Sequence, residues 1–258
     1  MPTSSNVIIA PTLATMARVY QLSTSGGPRS PRFAAYVGLV EHGWGLSSFN
    51  PMAGDVAARS VDALIALDAE AVAAEAAKHI LDACAWTAPI TLAIVVPSPG
   101  MWTDRLATEV RHRTLAERRS VHGEILLWSG DAPDADDIRH ESAAEAVRTI
   151  WTSLHGPTRT LSDVLSREGL AYALARPSTE PAPLERAVGE ALEVLGDTST
   201  LADIIGVLYG DSAASTLGYT PLGLSERAGY EWAIGRALAE IARVGAAGAL
   251  LGGPLRTA

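Results

Sequence analysis

The stretch Ile90-Thr91-Leu92-Ala93-Ile94-Val95-Val96, between Pro89 and Pro97, decides the fold class of this chain. Alternate side chains of a strand point to opposite faces of a sheet, and apart from Thr91 both sets are apolar here. A strand that is apolar on both faces needs cover on two sides, which helices packed on a sheet supply. The stretch therefore predicts a central strand in an α/β domain.

The length and composition limit the number of domains and the kinds of partner that the protein can bind. The chain has 258 residues, of which 48% are hydrophobic and 19% are charged. This is enough apolar material for a packed core, and the length favours two domains because one domain usually has about 100–200 residues. The formal net charge of −9 opposes broad binding to nucleic acids and to anionic membranes, because phosphate groups would be repelled.

Cysteine content and hydropathy predict a cytoplasmic protein. Cys84 is the only cysteine in the sequence, which excludes an internal disulfide and a thiolate metal cluster. The apolar run at 7–10 ends at Pro11 and lacks a preceding basic segment, so a secretion signal is not predicted. Arg236, Glu240 and Arg243 interrupt the apolar C-terminal stretch, so a membrane-spanning helix is not predicted either.

The order of elements predicts an α/β domain over residues 1–156. Turn residues separate the apolar and aromatic runs between residues 18 and 50, which indicates a meander of short strands. An Ala-rich segment then shows helical spacing as far as Cys84 and precedes the central strand. The predicted elements are strands at 18–22, 32–40, 44–49, 90–96 and 121–128, and helices at 51–84, 103–118 and 136–154.

The remaining residues, 157–258, predict a helical domain. Gly156-Pro157 ends the preceding helix, and Gly and Pro separate short helical patterns from there onward. The Pro-rich stretch 176–183 reads as a stiff connector between two of them. The predicted helices are 161–175, 184–195, 200–209 and 225–251.

Residues 18–154 resemble the ribonuclease H-like fold in length and in the order of three strands, helix, strand, helix, strand, helix. Two stretches carry the resemblance further, Leu22-Ser23-Thr24-Ser25-Gly26-Gly27 and Trp128-Ser129-Gly130-Asp131 before an acidic helix start. The resemblance implies three or four carboxylates around two divalent ions. Ser23 or Thr24 stands at the first-strand position and Ser98 at the end of the central strand. The resemblance therefore implies a catalytically degenerate relative.

The acidic segment 131–141 is the densest set of hard oxygen ligands in the sequence. Such oxygens suit Mg²⁺ or Ca²⁺, so a divalent metal is the cofactor that the segment would take. The other interpretation is a solvated loop whose last acids cap the following helix. The candidate metal ligands are Asp131, Asp136, Asp137 and Glu141.

Two further segments are candidate binding surfaces. Arginines within and just after the helix at 103–118 form a basic cluster for nucleic acid or an acidic partner, although a solvated helix face would look the same. The C-terminal end, with Leu250 and Leu251, has little polar cover, which favours contact with a second copy or a protein partner over core packing alone. The basic cluster comprises Arg111, Arg113, Arg118 and Arg119.

The sequence thus leaves two functions in competition. The first is a non-catalytic or weakly catalytic protein, associated with nucleic acid or serving as a scaffold, whose helical domain mediates assembly. The alternative is a metal-dependent nuclease or phosphoesterase that uses residues 131–141. The direction of the acidic side chains separates the two, because a metal site requires carboxylates that converge.

Overall fold

A computed structural model describes residues 6–41, 49–99, 105–114, 123–176 and 186–252. The fold is mixed α/β and mostly helical, which confirms the α/β class. The strands are β1 (Val7–Ala10), β2 (Ile90–Val95) and β3 (Gly123–Leu126). The helices are α1 (Thr12–Gln21), α2 (Pro31–Glu41), α3 (Asp55–Ala66), α4 (Ala69–Ala83), α5 (Arg105–Thr114), α6 (Ala135–His155), α7 (Leu161–Ala175), α8 (Arg186–Leu195), α9 (Leu201–Tyr209), α10 (Asp211–Thr216) and α11 (Ala228–Leu251).

The three strands form a parallel sheet in the order β1-β2-β3. The prediction of a central strand at 90–96 is confirmed, since β2 pairs with both neighbours and Ile94 is 0% exposed. Backbone pairing continues past the strand ends, where Leu127 N donates to Val95 O at 3.0 Å and Ser129 N donates to Pro97 O at 3.0 Å. The carboxyl ends of β2 and β3 therefore remain side by side as far as Pro97 and Ser129.

The strands predicted at 18–22 and 32–40 are wrong, because these residues lie mainly in helices. Helix α1 begins at Thr12, and its buried residues Leu13, Met16 and Tyr20 recur at helical spacing. Helix α2 begins at Pro31, whose fixed φ suits the first turn, and the Ser30 hydroxyl accepts a hydrogen bond from the Phe33 amide at 3.2 Å. The strand predicted at 44–49 lies, except for Phe49, outside the described residues.

This correction removes the element order on which the ribonuclease H-like resemblance depended. The first strand of the sheet is instead β1, in the apolar run that ends at Pro11, and it pairs in parallel with β2. Parallel strands require long crossover connections, which the helices between β1 and β2 provide. Among the described residues, no strand corresponds to the predicted meander.

The Ala-rich segment forms two helices, α3 and α4, rather than one. Asp68 adopts a left-handed backbone conformation with φ of 52°, which an α-helix cannot continue through. Asp tolerates this conformation better than most residues because its short side chain can hydrogen-bond locally. The helices predicted at 103–118 and 136–154 are confirmed as α5 and α6 over their described parts.

The chain divides into two compact units. The first comprises Met1–Leu81, Thr87–Thr108 and Arg118–Ala146, and it contains the sheet. The second comprises Asp82–Trp86, Glu109–Glu117 and Val147–Ala258. The helices predicted at 161–175, 184–195 and 200–209 are confirmed as α7, α8 and α9, and α10 is an additional short helix. The helix predicted at 225–251 is α11, which Gly245 interrupts with a φ of 78°. Residues 177–185 of the predicted connector lie outside the described residues.

Small residues bring α7 and α11 close together in the second unit. A Cβ atom built on Gly169 of α7 would lie 2.5 Å from the carbonyl oxygen of Ala233 on α11. Only glycine fits at such a backbone approach. The buried side chains of α11 also include Tyr230 and Ala237, whereas Leu238 is only half-buried.

An ionic cluster is buried in the same unit. The Glu168 carboxylate lies 3.0 Å from the Arg148 guanidinium and 3.0 Å from that of Arg167. All three side chains are at most 4% exposed. The Arg148 guanidinium also lies over the ring of Tyr172, 5.4 Å from its centroid. Burial of charge is tolerated here because the charges are paired and hydrogen-bonded.

Candidate functional site

The carboxyl ends of the parallel strands are the expected place for a binding site, because crevices form there in open α/β sheets. At the end of β1 the polar groups are already paired. The Thr12 hydroxyl donates to the carbonyl oxygen of Ile94 at 2.6 Å, and the Glu70 carboxylate accepts from the Leu13 amide at 3.0 Å. These bonds fix the start of α1 and leave the end of β3 as the more open position.

A cavity of about 660 Å³ lies beyond the end of β3. Helix α3 supplies one side, and the loop between β3 and α6 supplies the other. Most of the lining is apolar, with four polar or charged side chains among it. The lining residues are Val56, Arg59, Ser60, Ala63, Leu64, Ala66, Leu67, Ser129, Ala132, Pro133 and Asp134.

Two polar side chains of the lining have no partner. Arg59 is exposed, and it forms no ion pair or hydrogen bond within the part of the chain that the structure describes. Asp55 and Asp62 lie about one turn away along α3, yet neither is paired with it. Ser129 is only 6% exposed, and its buried hydroxyl also lacks a hydrogen-bond partner among the described residues. A buried hydroxyl without a partner is costly, so a ligand group that formed a hydrogen bond with it would be stabilised.

Asp134, the second charged residue of the lining, is hydrogen-bonded to the backbone at the start of α6. Its Oδ1 accepts hydrogen bonds from the Asp136 amide at 2.8 Å and from the Asp137 amide at 2.9 Å. These bonds from Asp137 and Asp136 hold the pKa of the Asp134 carboxyl below its usual value. The carboxylate thus compensates the positive end of the helix, as the capping interpretation of the acidic segment requires.

Three of the four candidate metal ligands take part in separate interactions. The Asp131 carboxylate lies 2.7 Å from the Arg105 guanidinium, and Asp136 pairs with Arg139. Asp137 accepts a hydrogen bond from the Asp134 amide at 3.2 Å, and the half-buried Glu141 lies further along α6. Within the described ranges no three His, Cys, Asp or Glu side chains come together in a way that could hold a metal ion.

The predicted basic cluster lies largely beyond what the structure describes. Arg118 and Arg119 lie outside the described residues. The backbone of Arg111 and Arg113 forms the end of α5, but their side chains are not among those described. Binding of nucleic acid or an acidic partner through these arginines stays a prediction.

The two candidate interface leucines differ in exposure. Leu251 is 68% exposed, whereas Leu250 is 2% exposed and is therefore covered by the chain itself. The imidazole Nε2 of His155 lies 2.7 Å from the carbonyl oxygen of Leu250, which fixes this end of α11. The apolar surface that the end of α11 offers to a partner is consequently narrower than the sequence predicts. Self-association through Leu251 stays a prediction.

Sequence reasoning did not single out Arg59 and Ser129, which line the same cavity. Arg59 reads as one of several charged residues on the outer face of an Ala-rich helix, and Ser129-Gly130 reads as a turn. The usable signal is the position of Ser129 immediately after a buried strand, where parallel sheets bind ligands. No pattern in the sequence indicates that α3 lies on the opposite side of the cavity from Ser129.

The chain matches no protein-family model, no curated protein and no solved structure. Across the described ranges, none of the helices combines the length and the apolar character needed to cross a membrane. The functional conclusion therefore depends on the residues of the cavity.

Proposed function

We propose that this protein is a non-catalytic binding protein that holds a small, mainly apolar organic molecule in the cavity beside α3. The observation that carries the proposal is the cavity itself, at the carboxyl end of β3. Its volume of about 660 Å³ falls within the range of about 300–1,000 Å³ that is typical of ligand pockets. An apolar lining with a few unpaired polar groups is also typical of such pockets.

The polar groups of the cavity support binding rather than catalysis. A nucleophilic serine needs a base within hydrogen-bond distance, and the Ser129 hydroxyl has no such partner among the described residues. The carboxylate of Asp134 accepts two backbone hydrogen bonds, and its lowered pKa makes it a weak base. Neither residue is arranged to activate a substrate or water.

Filling the cavity should abolish ligand binding. Ala63 lines the cavity and is exposed, so Ala63→Phe adds a ring to the cavity without disturbing the core. We expect the neutral fluorescent probe N-phenylnaphthylamine to bind the unaltered protein and to lose at least about tenfold in affinity in the variant, since about 1.4 kcal/mol corresponds to that factor. Fluorescence titration measures both dissociation constants.

The matched control is Ala71→Phe. Ala71 is also exposed, lies on α4 and is not part of the lining, so this variant should bind the probe like the unaltered protein. Equal affinity in the unaltered protein and Ala63→Phe, or an absence of probe binding to the unaltered protein, would contradict the proposed function.

A binding role also predicts little nuclease activity. With Mg²⁺ or Mn²⁺, the purified protein should leave RNA–DNA hybrids and single-stranded substrates uncut, because Asp131 and Asp136 are each paired with a different arginine. A gel assay of substrate length measures this. Cleavage that disappears in the double variant Asp136→Asn, Asp137→Asn would support the metal-dependent hydrolase instead.

A further inference from the structure

We infer that the ligand of the cavity carries an anionic group, a carboxylate on an apolar body, and that Arg59 binds this group. The inference rests on the proposed function and adds the chemical class of the ligand. It follows from the balance of charge around the cavity, from the unpartnered hydroxyl and from the apolar residues that surround both.

The charge that lacks compensation in the cavity is positive. The lining contains two charged side chains, Arg59 and Asp134. Asp134 receives two backbone hydrogen bonds, and the nearby Arg139 guanidinium lowers its pKa further. Arg59 receives no comparable compensation from the described residues. A ligand with an anionic group therefore completes the charge balance, whereas a cationic ligand would leave Arg59 uncompensated.

The hydroxyl groups of the lining are suited to the same anion. A guanidinium offers several N–H donors in a planar fork that matches a carboxylate. Ser60 follows Arg59 in α3 and also lines the cavity, and Ser129 contributes its buried hydroxyl from the opposite side. A carboxylate has two oxygens with about four acceptor positions, so it can accept from an arginine and from a serine together.

The apolar residues define the rest of the ligand. Val56 and Leu64 lie on α3 with Arg59, Leu67 follows directly after the end of that helix, and Pro133 lies in the opposite loop. Val56 is 55% exposed and Leu67 is 42% exposed, so a ligand can cover apolar surface that the chain leaves open. Burial of apolar surface is favourable in proportion to the area buried, which favours a hydrocarbon chain or ring over a small inorganic anion.

The experiment compares three ligands that share one hydrocarbon chain, octanoate, octanol and octylamine. Isothermal titration calorimetry of the unaltered protein should give the highest affinity for octanoate. The variant Arg59→Gln should lose about tenfold in affinity for octanoate and should bind octanol as before, because one charge-assisted contact is removed. The control Arg29→Gln alters another exposed arginine, outside the cavity lining, and should change neither affinity.

The outcomes distinguish this inference from the proposed function. If octanol binds as tightly as octanoate and Ala63→Phe blocks both, the cavity binds ligands but the anionic class is wrong. Tighter binding of octylamine would also overturn the anionic class. If Ala63→Phe leaves octanoate binding unchanged, the anion binds elsewhere and the assignment to Arg59 fails. If no ligand or neutral probe binds, the proposed function itself fails.

Discussion

The substitution Ile94→Asp is expected to abolish cooperative folding of the unit that contains the sheet. Ile94 is 0% exposed, lies in the central strand β2 and pairs with Ile125 of β3. A carboxylate at this position would be buried without a partner, and such changes destabilise by more than about 4 kcal/mol. Urea denaturation followed by circular dichroism should show loss of the main unfolding transition or a large decrease in its midpoint.

The same substitution at a strand position in contact with solvent provides the control. Ile8 lies in β1 and is 52% exposed, so Ile8→Asp should lower the free energy of unfolding by about 1 kcal/mol or less. An Ile94→Asp variant that unfolds at the same urea concentration as Ile8→Asp would contradict the central placement of β2.

The substitution Gly169→Ala is expected to give the second large effect, in the helical unit. The added Cβ would lie 2.5 Å from the Ala233 carbonyl oxygen and 2.7 Å from its carbonyl carbon, so α7 and α11 would have to move apart. Overpacking of this kind costs about 1–3 kcal/mol and outweighs the gain of about 1 kcal/mol that alanine gives in a helix. The free energy of unfolding from urea denaturation should therefore decrease.

The control substitution is expected to change the free energy of unfolding in the opposite direction. Gly189 lies within α8, and a Cβ atom added there would meet no atom within 4 Å. Gly189→Ala should therefore raise the free energy of unfolding by about 0.5–1 kcal/mol through helix propensity alone. Stabilisation by both substitutions would show that α7 and α11 do not approach each other as closely as the structure indicates.

The elements that could be predicted are those whose signals are local. The central strand has an apolar run between two prolines, and α7 has Thr160 and Asp163, which form a capping box in the structure. Helix α6 follows an acidic start and ends before Gly156. In these places composition, periodicity and end signals agree, so the element follows from the sequence alone.

The first forty residues could not be predicted in the same way because two signals compete there. Val19 and Tyr20, like Phe33 and Tyr36, belong to residue types that favour strands, which suggests a meander. Burial of one helical face favours a helix instead. In α1 the buried face begins at Thr12, before residue 18, where the strand was predicted to start. Strand β1 is only four residues long, so its identity depends on pairing with β2 rather than on its own pattern.

The candidate site depends on contacts that are distant in sequence. The residue types of the acidic segment suggest both a metal site and a helix cap. Only the structure shows that the Asp134 carboxylate accepts hydrogen bonds from the amides of Asp136 and Asp137. Arg59 and Ser129 are seventy positions apart in sequence, and no local pattern indicates that they line one cavity. Fold class could be predicted from this sequence, but the cavity required the structure.

The buried cluster of Arg148, Glu168 and Arg167 has a consequence for the uniqueness of the helical unit. A slip of α7 by one turn would move Glu168 by about 5.4 Å along the helix axis. The carboxylate would then leave the Arg148 guanidinium, which now lies 3.0 Å from it. Separating a buried pair costs about 3–5 kcal/mol, so the contact between Arg148 and Glu168 sets the register of α7 relative to α6 even if it adds little to net stability.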